Sequence, residues 1–323
     1  MSNKEKMVWC FGAGILVLLF LLSSTDLIIK EQKREVYRIS VIIADSRDEY
    51  YVNFKKGMDK AALSFQADVN FITLYAANDE EQQAELLQRE LRDGAQAVVL
   101  APVNESGMLM RLDAVKPNCP VILLGSATLN DSVAASLSVD GYAMGQELGR
   151  QVASRAQKEI PVCLLTEGLS FTGNADIYDG LRSVLDEEGF VCRLVERQGE
   201  GTYRQVIEET VYPGSGRITV IALDTAALSE AADLLAGSSV YQEHVAGLYG
   251  VGCTVGILNR LDEGIVKGLM AYNQFDEGYL SVRLAVEAIQ GLWPGVQNTL
   301  DFHYIEAKEL RKELYEKMLY PME

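Results

Sequence analysis

Two histidines, His244 and His303, and five cysteines, Cys10, Cys119, Cys163, Cys192 and Cys253, make up the imidazole and thiol inventory of the chain. No two cysteines stand in a C-x-x-C spacing, so zinc and thioredoxin-type dithiol readings fail. Cys163 and Cys192 fall on consecutive predicted strands, which leaves a disulfide open; otherwise the thiols pack as small apolar groups. A serine hydrolase would carry a G-x-S-x-G elbow. Ser170 in Gly168-Leu169-Ser170-Phe171-Thr172-Gly173 has the wrong spacing, and there is no G-x-x-x-x-G-K-S/T phosphate cradle. Gly250-Val-Gly252-Cys253-Thr254-Val255-Gly256 reads G-x-G-x-x-x-G and closes a series of strands rather than opening one. It is expected to be a tight strand-to-helix turn, not a dinucleotide site. The chain thus offers no catalytic nucleophile, no metal set and no cofactor loop. It reads as a binder; no cofactor and no metal are expected.

Charge narrows the partners. The 323 residues hold 46 acidic and 29 basic side chains, a net of −17, and the chain beyond residue 36 carries −18. Such a domain lacks the positive field that gathers phosphate backbones, so no nucleic-acid partner is expected. Acidic runs such as Asp79-Glu80-Glu81 and Asp186-Glu187-Glu188 fall at helix ends, where solvated capping accounts for them.

Residues 7–25 carry no charge between Lys6 and Asp26, and 15–22 (ILVLLFLL) is continuously apolar. As a helix this stretch spans about 28 Å, close to a bilayer core. Leu22-Ser23-Ser24-Thr25 is a poor small-x-small cleavage site, so an uncleaved anchor is preferred to a cleaved signal peptide. We expect residues 1–25 to be a cytoplasmic tip and transmembrane anchor. Residues 26–36 form a charged stalk, and the remainder lies outside the cytoplasm at the cell membrane.

From Tyr37 onward, short apolar runs alternate with amphipathic segments. Predicted strands are 39–44, 69–75, 97–101 and 121–124, then 162–165, 191–195, 218–223 and 245–249. Helical spacing of Phe54, Met58, Ala61 and Phe65 fills one interval, and that of Ala84, Leu87 and Leu91 another. In the second set, helices are predicted at about 174–188, 203–210, 225–236 and 254–263. Fully apolar short strands separated by helices predict an α/β chain of two similar lobes with parallel sheets. Loops at the strand C-terminal ends would face a common cleft.

Four stretches carry a family resemblance: 39–58 (ISVIIADSRDEYYVNFKKGM), 93–102 (DGAQAVVLAP), 138–148 (SVDGYAMGQEL) and 270–291 (MAYNQFDEGYLSVRLAVEAIQG). In order and spacing the chain from about 37 to 310 resembles type I periplasmic binding proteins of the ribose/galactose group and the ligand domains of LacI-type repressors. The resemblance implies two lobes, 37–139 with 273–301 and 140–272 with 302–323, joined by crossovers near 139–141, 271–274 and 300–303. It implies that Tyr50 and Tyr51 sandwich a sugar ring, that Arg47 and Asp48 reach hydroxyls, and that Asp140, Asn174, Asp224 and Tyr272 lie at the cleft. The chain departs from the sugar binders where they carry an Asp-Arg pair after the fourth strand; here Gly125-Ser126 stands. Asn174-Ala175-Asp176 replaces their arginine, and Gly252-Cys253 a further aspartate. A ligand less hydroxyl-rich than ribose, or a modest sugar affinity, is therefore expected. The implied role is capture of a small, sugar-like ligand by lobe closure for an ABC importer. Service to a membrane histidine kinase is the alternative, and an α/β enzyme a remote one. A repressor would need a basic helix-turn-helix ahead of residue 37, where the apolar span stands instead.

Overall fold

Runs such as Val121–Leu124 and Ile218–Ala222 are buried at every position, the condition of a parallel strand covered by helices on both faces. The computed structural model describes residues 3–24, 36–126, 132–197, 203–211, 216–292, 295 and 297–321. The chain divides into two units, 1–36 and 37–323. The first holds helix α1 (Asn3–Ser24). Its apolar side chains are exposed on all sides, Met7, Trp9, Phe11, Leu16 and Phe20 among them. Among the described residues, no helix is long and apolar enough to cross a membrane. Side chains of α1 are described only as far as Leu21, and Lys4, Glu5 and Lys6 stand near its start. The predicted stalk, apart from Val36, lies outside the described residues.

The second unit runs β1 (Tyr37–Ile42), α2 (Val52–Phe65), β2 (Ala67–Ile72), α3 (Glu80–Arg92), β3 (Ala97–Leu100), α4 (Glu105–Val115), β4 (Val121–Leu124), β5 (Ala135–Val139), α5 (Gly141–Ala153), β6 (Val162–Thr166), α6 (Asn174–Glu187) and β7 (Cys192–Glu196). It continues with α7 (Tyr203–Val206), β8 (Ile218–Ala222), α8 (Thr225–Ala236), α9 (Ser239–His244), β9 (Val245–Val251), α10 (Val255–Asp262), β10 (Val266–Tyr272), α11 (Gln274–Ile289), β11 (Gln297–Leu300), β12 (Phe302–Ile305) and α12 (Glu313–Leu319). The strands form two six-stranded sheets, ordered β11-β5-β4-β3-β1-β2 and β12-β10-β9-β8-β6-β7. Pairing is parallel except between β10 and β12. The chain passes between sheets at three places: Asp140 after β5, Asn273 after β10 and Asp301 after β11.

Each sheet has two apolar faces. In the first, Val41 and Val99 join one buried cluster, while Ile42, Val98 and Leu100 join the other. The second sheet divides likewise, with Cys163, Leu165 and Val220 on one face and Val162, Leu164 and Ile221 on the other. That division settles the disulfide left open by the sequence. Cys192 pairs in register with Val162, so it shares that residue's face, while Cys163 points the opposite way. Both thiols are free.

Strands β5, β10, β11 and β12 are not among those predicted. Gln297-Asn-Thr-Leu300 is an edge strand with two exposed residues, and β12 is an antiparallel edge. β10 carries Lys267 and Gly268 within it. None of these shows the continuous apolar signal of a central strand.

Two helix pairs meet backbone to backbone. A Cβ at Gly57 of α2 would fall 1.9 Å from the Phe275 carbonyl oxygen of α11, and one at Gly278 would fall 2.0 Å from that of Phe54. In the second lobe, Gly145 of α5 and Gly180 of α6 face Ile177 and Tyr142 carbonyls at 2.1 and 2.0 Å in the same way. The chain end ties the lobes further. Met318 and Leu319 of α12 join the second-sheet core. The carbonyls of Leu319 and Pro321 accept hydrogen bonds from Asn53 Nδ2 (2.9 Å) and Lys56 Nζ (3.0 Å) of α2.

An alanine at Gly57 or Gly180 must push two helix backbones apart. Each is expected to destabilise the unit by about 1–3 kcal/mol or more, read from urea unfolding. Gly256→Ala in α10 is the control. Its methyl would meet nothing nearer than 3.9 Å, so stability should hold or rise by up to about 1 kcal/mol.

Candidate ligand-binding cleft

Parallel sheets expose their polar loops at the strand C-terminal ends, and both sheets aim those ends at one cleft. A cavity of about 270 Å³ lies there. Ala44 and Asp45 after β1, Pro102 and Val103 after β3, and Tyr50, Tyr51 and Asn78 line it from the first lobe. Glu167 after β6, Asp224 to Ala226 after β8, Val251, the loop residues Phe171 and Thr172, and Asn174 at the start of α6 line it from the second. Tyr272 stands at the crossover between them. A smaller chamber of about 190 Å³ adjoins it, sharing Thr172, Ile177, Val251 and Tyr272.

Glu167 is the electrostatic centre. Arg47 of the first lobe grips Asp45 with Nε and Nη2, both at 2.9 Å, and its Nη2 lies 3.5 Å from Glu167 Oε1. Arg197 reaches the same oxygen at 3.5 Å, and Asn78 Nδ2 donates to Oε2 at 3.2 Å. Burial, with Asp224 close by, still pushes the Glu167 carboxyl above the usual carboxylate range, against the pull of these groups. Thr172 adds direct ties between lobes: its N–H donates to the Val103 carbonyl (3.1 Å) and its hydroxyl to that of Pro102 (2.8 Å).

Five of the eight residues expected at the site line the cavity, and protein groups already engage them. Tyr50 lies beneath the Arg47 guanidinium, 4.3 Å from ring centroid to Cζ, and its hydroxyl accepts from Nη1 at 3.0 Å. Tyr51 packs edge-on against Phe54, centroids 6.2 Å apart, and against Phe71. Asn174 Nδ2 donates to Thr166 Oγ1 and the Gly168 carbonyl, pinning the loop that carries Phe171 and Thr172. Asp224 caps α8 through Ala227 N–H (2.8 Å) and also accepts from Glu167 N–H (2.8 Å). The Tyr272 hydroxyl donates to Glu277 Oε2 at 3.2 Å.

The other three do not line it. Asp48 is drawn to Lys55 Nζ at 2.8 Å, with its side chain 60% exposed. Asp140 caps α5 by accepting from Ala143 N–H and does not line the cavity. Arg47 serves Asp45 and Glu167. Asp45, Asn78, Glu167, Thr172 and Arg197 were not among the expected residues. The Asp45-x-Arg47 spacing directly after an apolar strand was the one local signal; the others meet only through the fold. The Gly250–Gly256 segment is the strand-to-helix turn expected: Gly252 has φ +134° and Thr254 caps α10. Burial pushes the Cys163 and Cys253 thiols up to about 11 and 12, which leaves no thiolate near neutral pH.

This architecture, two doubly covered sheets joined by three crossovers around a cleft, is that of the type I periplasmic binding proteins. A family model described as periplasmic binding protein domain matches residues 39–292, and the chain belongs to that family. No curated protein matches it by sequence. Among solved structures it is similar to GanP, a glucose-galactose binding protein from Geobacillus stearothermophilus (15% identity, 86% of this chain and 99% of that one, TM-score 0.73). It is also similar to a carbohydrate transporter solute-binding protein from Agrobacterium radiobacter in complex with D-arabinose (15% identity, 88% and 99%, TM-score 0.76). A third is the XylFII–LytSN complex (15% identity, 85% and 99%, TM-score 0.74).

Glu277 gives the cleft a pH signature. Burial raises its carboxyl to about 7, and Tyr272, Tyr51 and Cys253 around it bring no positive charge. An acid whose folded pKa exceeds its unfolded value holds its proton longer in the folded chain. Its stabilising contribution is complete below the unfolded pKa, near 4.5, and is lost as pH rises to about 7. Glu277→Gln should therefore gain stability relative to the parent between pH 5 and 8, on the order of 2–3 kcal/mol, by thermal unfolding at both pH values. An unchanged difference across that range would remove the raised-acid assignment.

Proposed function

We propose that the protein is a membrane-tethered, extracytoplasmic solute-binding protein that closes its lobes on a small, sugar-like ligand and presents it to an ABC importer. The observation that carries this is the cavity between the lobes, lined from the C-terminal ends of both sheets and, at one crossover, by Tyr272 and Gln274. Solute-binding proteins of carbohydrate transporters share the fold, and the role involves no bond-making chemistry. In this reading 37–139 with 273–301 and 140–272 with 302–323 are the moving lobes, hinged at Asp140, Asn273 and Asp301.

The uncharged stretch from Met7 to Thr25 supports α1 as the anchor, with residues 1–25 as cytoplasmic tip and span and 26–36 as stalk. A second reading, service to a membrane sensor kinase, draws on XylFII, a protein of this fold found in complex with another protein, LytSN. Co-purification from membranes separates the two: a permease and ATPase for the first, a kinase for the second.

Two measurements test the proposal. Full-length protein in detergent, screened by thermal shift against pentoses, hexoses, nucleosides and polyols, should be stabilised by at least one class. Tyr50→Ala or Tyr51→Ala should then weaken that ligand by roughly 5- to 150-fold, the worth of about 1–3 kcal/mol of lost aromatic contact. Protease added to intact protoplasts should digest residues 37–323. Full protection would remove the extracytoplasmic placement.

A further inference from the structure

The smaller chamber lies beside Gly125-Ser126, the place where the sugar binders carry their Asp-Arg pair. Ser126, Ser138, Asp176, Tyr272 and Glu277 help to line it. The ionisable side chains there, the tyrosine aside, are carboxyls. Glu105, in the first turn of α4, reaches over Gly125: its Oε2 accepts from Ser126 N–H at 3.1 Å, and a Cβ on Gly125 would fall 2.6 Å from that oxygen. Asp176 lies close enough to raise the Glu105 carboxyl further, after burial has done so. The Asp176 side chain makes no hydrogen bond or ion pair among the described residues. The Glu277 carboxyl, half-buried, has one partner among them, the Tyr272 hydroxyl, which leaves its Oε1 without a protein donor.

Among the described residues, no lysine, arginine or histidine lines either chamber. Arg47 and Arg197, which meet chamber-lining Glu167, contact Asp45 and Glu167, and the buried Arg197 Nε has no partner among the described residues. A desolvated carboxylate facing an apolar and aromatic cavity without a cation is destabilised until a donor or a positive charge arrives. A neutral sugar could donate hydroxyls but would leave the charge uncompensated, and an anionic ligand would be repelled. An ammonium group brings three donors and the missing charge together. The rings of Tyr51 and Tyr272 beside Glu277 favour a cation as well.

We propose that the ligand carries a protonated amine, seated in the smaller chamber against Glu277 and Asp176, and is an amino sugar or an equally small hydroxylated amine. This rests on the reading of the cleft as a ligand site. The larger chamber, with Tyr50, Phe171 and Asn78, takes the hydroxylated body. The arrangement accounts for the absent Asp-Arg clamp, since an arginine at Gly125-Ser126 would oppose the amine.

Calorimetry on the full-length protein in detergent at pH 7 tests this with D-glucosamine, D-galactosamine and D-mannosamine against D-glucose, D-galactose and D-mannose. At least one amino sugar should bind about tenfold or more tighter than its neutral parent. Glu277→Gln should bring the pair near parity, and Asp176→Asn, an exposed change that leaves the fold intact, should narrow the gap. A neutral hexose that binds as tightly as its amino counterpart overturns the inference while leaving sugar binding in place. A preference that survives in both variants overturns the seat assigned to the amine. Binding by neither set overturns the inference, and the wider panel above then decides the fate of the binding reading itself.

Discussion

Backbone contact between helices at paired glycines is the constraint on which the cleft depends. Gly57 with Gly278, and Gly145 with Gly180, let α2 meet α11 and α5 meet α6 closer than any side chain permits. α5 and α11 are the helices that begin directly after crossovers, capped by Asp140 and Asn273. Seating them against their own lobes leaves the adjustable dihedrals to the crossover residues. Glu277 immediately precedes Gly278, so the same contact fixes where its carboxyl enters the cleft.

The cleft that results is unusual in its charge balance. Asp45, Glu167 and Asp224 are each compensated, by Arg47, by Arg197 with Asn78, and by backbone N–H groups with Tyr203. Compensation across the lobes holds them together, because Arg47 and Glu167 belong to different sheets. The smaller chamber, among the described residues, has the carboxyls of Asp176 and Glu277 and no cation. Specificity in such a site comes as much from the partners it rejects as from those it holds.

The central strands were legible in the sequence because a strand covered on both faces must be apolar at every position, as Val98–Leu100 and Val121–Leu124 are. The edge strands β11 and β12 were not, since they are covered on fewer sides and keep Gln297, Asn298 and His303. The site was legible by region and only partly by residue. Tyr50, Tyr51, Asn174, Asp224 and Tyr272 reach the cavity because they follow strand C-terminal ends or open helices beside them. Asp48 and Asp140 hold similar local positions, but an ion pair with Lys55 and a helix cap claim them. Glu167 and Arg197 could not be paired from sequence, because β6 and β7 bring them together only once the second sheet has formed.

The chain end carries a consequence of its own. Leu319 is anchored in the second-lobe core, yet its carbonyl and that of Pro321 are held by Asn53 and Lys56 of the first lobe. Any rotation that parts the lobes at α2 must exchange both bonds for water, at about 1 kcal/mol each. In the lobe motion proposed above, residues 319–321 would be pinned when the lobes are together and released when they separate. A neighbouring protein that grasped residues 319–321 would sense the occupancy of a cleft it never touches.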